Sequence, residues 1–83
     1  MEKDFMKRIV VNPKVMVGKP VITGTRVTVD AILGRLAEGW TFNEIIEDLG
    51  ITDEDVRAAI LYAEGIVRGE DIMPKIDKHA IPG

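Results

Sequence analysis

The sequence contains no cysteine and few aromatic residues, namely one tryptophan, one tyrosine and two phenylalanines. Without cysteine it can form neither a disulfide nor a thiolate metal site, and its single histidine cannot assemble a zinc cluster. No apolar run approaches the roughly 20 residues that a membrane-spanning helix needs. Residues 1–5 mix both signs of charge and lack the apolar stretch of a secretory signal, so we expect a cytoplasmic protein without membrane contact.

The chain has 83 residues, 46% hydrophobic and 30% charged, which is the composition of one small globular domain. A core of this size stabilises a fold only narrowly, so we expect a homodimer or another partner. Charge is divided unevenly: residues 1–40 carry seven Lys or Arg against four Asp or Glu, and residues 41–83 carry four against ten. Because proteins hold nucleic acids through Lys and Arg, any DNA contact should come from the first half.

A β arm is predicted over residues 8–28. Its first part, residues 8–11, is rich in β-branched side chains and ends at a turn-forming Asn-Pro pair. Residues 21–23 and 26–28 flank a Gly-Thr pair, as two short strands around a tight turn would. For strands this short, the alternative is an irregular arm with little regular pairing.

Apolar residues at the spacing i, i+3, i+4 and i+7 predict three amphipathic helices after the arm, at about 29–38, 42–49 and 53–68. Thr41 and Thr52 are placed to cap the second and third helices, and a glycine follows each helix as a stop signal. The sequence therefore predicts a mainly α fold in one domain over residues 1–69. That domain is a short N-terminal β arm followed by a three-helix, helix-turn-helix-like bundle of the homeodomain or winged-helix kind.

Residues 70–83 form a C-terminal tail beyond the predicted bundle. The tail has two prolines and spaced apolar residues, which a purely solvated segment does not need. We expect it to dock onto a partner or a second copy, with simple disorder as the alternative. Its candidate partner-binding residues are Ile72, Met73, Ile76 and Ile81.

No residue pattern indicates an enzyme or a cofactor site. The chain lacks a recognisable nucleophile–base pair or metal ligand set, so we expect neither catalysis nor a cofactor. The Gly-Lys-Pro triplet at 18–20 lacks the other residues of a phosphate loop. The acidic residues at 53–55 diverge around a helix start, where capping explains them better than metal binding. His79 has no ligand cluster nearby and is expected to be solvated or at an interface.

DNA binding is the second functional hypothesis. In helix-turn-helix proteins the start of the recognition helix faces base edges, and here that start carries three acidic residues, which repel phosphates. A dimer that pools the cations of two arms would still present a basic patch. The candidate DNA contacts are Lys7, Arg8, Lys14 and Lys19.

A longer motif is more specific than any of these features. Residues 18–26 read Gly-Lys-Pro-Val-Ile-Thr-Gly-Thr-Arg before an amphipathic helix, and Ile-Val-Val-Asn-Pro precedes them at 9–13. On these motifs, residues 8–68 resemble the domain-of-unknown-function family numbered 433. The resemblance implies a helix-turn-helix-like fold with a β arm, and members of this family look like VapB-type antitoxins paired with PIN-like ribonuclease toxins.

The leading hypothesis is therefore an antitoxin whose tail covers a toxin. A DNA-binding regulator, able to act on its own operon, and a stand-alone oligomeric module are the alternatives. For the motif we favour a structural role over ligand binding, with glycine turns, a stiffening proline and an arginine that ties the arm to helix carbonyls or carboxylates. The motif residues are Gly18, Lys19, Pro20, Ile22, Gly24, Thr25 and Arg26.

Overall fold

The computed structural model describes residues 7–69 and the backbone of residues 75 and 76. A short β arm precedes three helices, which confirms the predicted mainly α fold. The helices α1, α2 and α3 span Val29–Ala37, Phe42–Leu49 and Asp53–Arg68. The strands β1, β2 and β3 span Ile9–Val11, Pro20–Ile22 and Lys75–Ile76, and a 3-10 turn at Met16–Gly18 lies between β1 and β2.

The three strands form one sheet in the order β2-β1-β3. β1 pairs antiparallel with β2, with Ile9 opposite Ile22, and parallel with β3, with Val11 opposite Ile76. The predicted pairing of residues 21–23 with residues 26–28 is reduced to a single bridge between Val21 and Thr28. The tight turn is present, but β2 forms its backbone hydrogen bonds with β1. That register places Ile9 and Ile22 together on the side of the sheet that faces the core.

Local hydrogen bonds fix both ends of α2 and α3 where the sequence predicts them. The Thr41 hydroxyl accepts from the Glu44 N–H, while the Glu44 carboxylate accepts from the Thr41 N–H, which completes a capping box. Thr52 and Asp55 form the same box at the start of α3. Within the described residues, no helix has the length and apolar character to cross a membrane.

The core lies between the sheet and the three helices. Ile9 and Ile22 contribute from the sheet and are 0% and 2% exposed, respectively. The helices contribute further fully buried side chains, namely Ile32, Ile45, Val56 and Ala59. Because one cluster joins both parts, burial of apolar surface holds the arm to the helices, with each buried isoleucine contributing about 1.5–3 kcal/mol.

The 3-10 turn has an unusual backbone. Met16, Val17 and Gly18 all have positive φ angles, of 51°, 57° and 78°. This region suits glycine but costs other residues roughly 1–2 kcal/mol each, and β-branched valine is especially unsuited to it. Val17 is nevertheless 94% exposed, so no packing within the described part of the chain offsets the strain.

Candidate protein-binding surfaces

The uneven charge of the sequence becomes two surfaces of opposite sign. The arm, residues 7–28, carries no carboxylate, and its cations are Lys7, Arg8, Lys14, Lys19 and Arg26. Residues 38–55, which we call the acidic segment, carry no lysine or arginine, and their carboxylates belong to Glu38, Glu44, Glu47, Asp48, Asp53, Glu54 and Asp55. Surfaces of this kind steer the approach of charged partners.

One ion pair joins these two regions. Nη1 of Arg8 lies 3.0 Å from Oδ1 of Asp55, whose side chain is only 11% exposed. The second oxygen of that carboxylate accepts from the Thr52 N–H at 3.0 Å, so Asp55 caps α3 and anchors the arm at the same time. The sequence predicted a capping role for Asp55 but not this ion pair, because a partner 47 positions away leaves no local pattern.

The motif at 18–26 shapes the end of the arm, as predicted for its glycines. Gly24 has a φ of 80°, so the turn requires a residue that tolerates the left-handed region. The Thr25 hydroxyl donates to the carbonyl of Ile22 and accepts from the N–H of Val27, which closes the turn. Thr23 ties the turn back to β1 by donating to the carbonyl of Lys7.

Arg26 does not make the tie predicted for it. Its side chain is exposed and makes no hydrogen bond or ion pair within residues 7–69. The physical reason is its position after the Gly24 turn, on a shallow groove of about 560 Å³ whose other lining includes Val10, Val15 and Val21 but no carboxylate. Arg8 provides the tie to the helices instead.

The three remaining candidate DNA contacts, Lys7, Lys14 and Lys19, are exposed. Lys19 lies 3.9 Å from Asp30, an ion pair between two well-solvated side chains that contributes little to stability. Arg8 differs from these lysines because its guanidinium is engaged with a buried carboxylate. The structure thus leaves three arm lysines accessible to a partner.

An open groove of about 600 Å³ lies in the acidic segment beside Trp40. We call it the Trp40 groove, and its lining residues are Glu38, Gly39, Trp40, Glu44, Glu47 and Asp48. Arg35 supports the aromatic ring, with Cζ 5.2 Å from the ring centroid and Nη2 3.1 Å from Oδ2 of Asp48. Within the described residues, neither Glu38 nor Glu47 has a side-chain hydrogen bond or ion pair, so the groove keeps a net negative charge.

Most of the predicted tail contacts lie outside the described residues, namely Ile72, Met73 and Ile81. Ile76 is described as backbone only, in the β3 strand beside Val11. Among residues 7–69, no group of three or more His, Asp or Glu side chains is placed to hold a metal ion. The described surfaces carry charged side chains, the exposed Val17 and the Trp40 groove. All three features suit binding to another macromolecule.

The comparisons with known proteins match most of the described chain. The family model described as "Protein of unknown function (DUF433)" matches residues 9–63. The chain is similar to a Mycobacterium tuberculosis protein named "Putative antitoxin VapB45", with 36% identity over 52 residues, or 63% of this chain and 22% of that protein. An uncharacterized protein of Archaeoglobus fulgidus is 73% identical over 26 residues, which are 31% of this chain and 72% of that protein.

A solved structure shares the fold. The X-ray crystal structure of Rv2018 from Mycobacterium tuberculosis superimposes with a TM-score of 0.61 at 34% identity. The match covers 71% of this chain and 27% of that chain. The chain thus spans only about a quarter of the length of the Mycobacterium tuberculosis proteins that it matches.

Proposed function

Because this chain belongs to the DUF433 family, we propose that it is an antitoxin-like module that binds and neutralises a partner protein and has no catalytic activity of its own. The observation that carries the proposal is the similarity over 52 residues to a protein named as an antitoxin. Those 52 residues make up 63% of this chain. The partner we propose is a PIN-like ribonuclease toxin.

The tail supplies the proposed contact with the toxin. Its apolar residues would enter pockets of the toxin, and the surrounding carboxylates would face the basic surface that a ribonuclease uses for RNA. Pairing of β3 with β1 supports this arrangement, because it attaches the tail to the edge of the sheet at Lys75 and Ile76. A tail anchored at one point loses less conformational freedom when it binds.

Co-expression tests the proposal. We would co-express the full chain with the product of the neighbouring gene and measure the mass of the complex by size-exclusion chromatography with light scattering. The decisive variant is Ile72→Ser with Met73→Ser, which leaves Lys75 and Ile76 in place. We expect this variant to lose the complex and to restore RNA cleavage by the toxin.

A matched control uses a different exposed apolar residue. Val67 is 87% exposed near the end of α3 and lies before the tail, so Val67→Ser should leave the complex intact. Toxin affinity that is unchanged in the Ile72→Ser, Met73→Ser variant would contradict a tail contact. Absence of any complex with the full chain would contradict the antitoxin role and favour a stand-alone module.

DNA binding is the second candidate, and the acid-free arm is the observation that favours it. The first turn of α3 carries Asp53, Glu54 and Asp55, so this helix is a poor reader of the major groove and the arm lysines would make phosphate contacts. A mobility shift with the protein's own promoter tests this. We expect Lys7→Gln and Lys14→Gln each to weaken binding and to reduce the salt slope by about 1.

A further inference from the structure

The arm tip, residues 14–19, combines exposed apolar and basic side chains. Val17 is 94% exposed and Met16 43% exposed, and Lys14 and Lys19 flank them. The backbone holds Val17 at a φ of 57° and a ψ of 38° although nothing packs on its side chain within the described residues. Backbone strain of this kind is concentrated at functional sites in known proteins. The tip therefore has the properties of a contact that is completed by another molecule.

The Trp40 groove has the opposite properties. It is an open depression whose lining combines the Trp40 side chain with four carboxylates. Asp48 is paired with Arg35 and Glu44 is held in the capping box, whereas Glu38 and Glu47 have no side-chain partner among the described residues. An apolar side chain between two lysines is complementary to such a groove, because the lysines are opposite in charge to its carboxylates and the apolar group can contact the Trp40 ring.

We propose that the arm tip of one copy docks into the Trp40 groove of a second copy of this chain. Val17 then covers the ring of Trp40, and Lys14 and Lys19 approach Glu38 and Glu47. A two-fold dimer forms this contact twice, from arm to groove and from groove to arm, which closes the assembly. Pairing of two arms face to face is disfavoured, because the arm carries five cations and no carboxylate.

Charge reversal on both sides tests the contact. The first variant is Lys14→Glu with Lys19→Glu, and the second is Glu38→Lys with Glu47→Lys. We would measure the association constant of the chain alone by sedimentation velocity. We expect each variant to lower the association constant by at least about tenfold, because like charges would then face each other. An equimolar mixture of the two variants should restore association, since the opposite charges face each other again.

The mixing experiment also shows whether the variants are folded, because unfolded chains would not recover. A control that changes the net charge by the same amount as the first variant is Arg57→Glu with Arg68→Glu on α3, which should leave association unchanged. Raising the salt from about 0.1 M to about 1 M shortens the Debye length from about 10 Å to about 3 Å and should weaken association of the unmodified chain.

Substitution of Val17 separates docking from folding. Val17→Gly removes the apolar side chain and also relieves the strained backbone, so we expect association to fall while the thermal midpoint of the monomer stays the same or rises. Val67→Ser removes a comparably exposed apolar side chain elsewhere and should not change association.

Three results would overturn the proposal. The unmodified chain could remain a monomer at millimolar concentration and low salt, the mixed variants could fail to associate, or Val67→Ser could abolish a dimer that Val17→Gly leaves intact. The measurements need neither toxin nor DNA, so their failure is separate from failure of the antitoxin proposal.

Discussion

The arm and the helical part of the molecule are ordered in different ways. The helices begin at threonine caps and end at glycine, so residues within a few positions determine their bounds. The arm has three-residue strands, a strained turn and two described ion pairs with helices, of which only the one between Arg8 and Asp55 involves a buried residue. Its order depends on residues far away in the sequence, above all on Asp55 and on the shared core around Ile9. The structure of the arm therefore depends on the helices more than the structure of the helices depends on the arm.

Truncation of the core in each part tests whether the arm belongs to the same cooperative unit. Ile9 in β1 and Ile45 in α2 are both 0% exposed. We expect Ile9→Ala and Ile45→Ala each to lower the free energy of unfolding by about 2–5 kcal/mol, measured by urea denaturation with circular dichroism. Ile66→Ala, at an exposed position on α3, is the control and should change it by less than about 0.5 kcal/mol. A loss of under about 1 kcal/mol for Ile9→Ala would show that the arm is loosely attached.

The capping boxes of α2 and α3 have the same design and differ in whether they also contact the arm. Asp55 and Glu44 occupy the same position in the boxes of α3 and α2, but only Asp55 also binds Arg8. We expect Asp55→Ala to lower the free energy of unfolding by about 2–4 kcal/mol and Glu44→Ala by about 0.5–1 kcal/mol. A double-mutant cycle with Arg8→Gln isolates the tie between arm and helix. Equal losses for the two alanine variants would mean that the tie contributes nothing.

The Thr25 hydroxyl is a purely local stabiliser of the arm. It makes two hydrogen bonds within the Gly24 turn, to Ile22 and Val27. We expect Thr25→Val to lower the free energy of unfolding by about 1 kcal/mol, while Thr25→Ser, which keeps the hydroxyl, should cost less. Thermal denaturation of the three proteins measures the difference. Identical midpoints for the valine and serine variants would rule out the turn bonds as a source of stability.

The smallest predicted change in the free energy of unfolding lies in α1, and it is an increase. Gly34 is exposed inside the helix, and a Cβ added there would meet no atom within 4 Å. Gly34→Ala should raise the free energy of unfolding by about 0.5–1 kcal/mol, because alanine loses less backbone entropy in a helix. The same denaturation experiment detects it. A destabilised variant would show that α1 also depends on contacts beyond its own sequence.

The sequence predicts the helices better than the arm, because local residues determine the helix bounds and distant residues determine the arm. The predicted range of α2, 42–49, and that of α3, 53–68, are confirmed, and α1 ends one residue earlier than predicted. The predicted strand at 26–28 is wrong except for the bridge between Val21 and Thr28. Residues 20–22 pair with β1 instead, because that register places the apolar side chain of Ile22 on the core side of the sheet. Turn roles of Gly18 and Gly24 follow from local chemistry and are confirmed by their φ angles.

The candidate surfaces were less predictable than the fold. Charge asymmetry between the halves is visible in the sequence, but the pairing of Arg8 with Asp55 and the groove beside Trp40 arise only when distant segments meet. The assignment of the tail residues to toxin binding, and of the arm lysines to DNA, stays a prediction. Arg26 shows the limit of motif reasoning, because its place in a specific motif did not reveal which arginine contacts the helix.

We expect the ion pair between Arg8 and Asp55 to form late during synthesis. The ribosome makes Arg8 47 residues before Asp55, and closing so long a loop costs conformational entropy that short helix–helix links do not. The helices can fold on one another through neighbouring residues as soon as they emerge, whereas the arm must wait for the start of α3. We therefore expect the arm, which is made first among the described residues, to complete its contacts last.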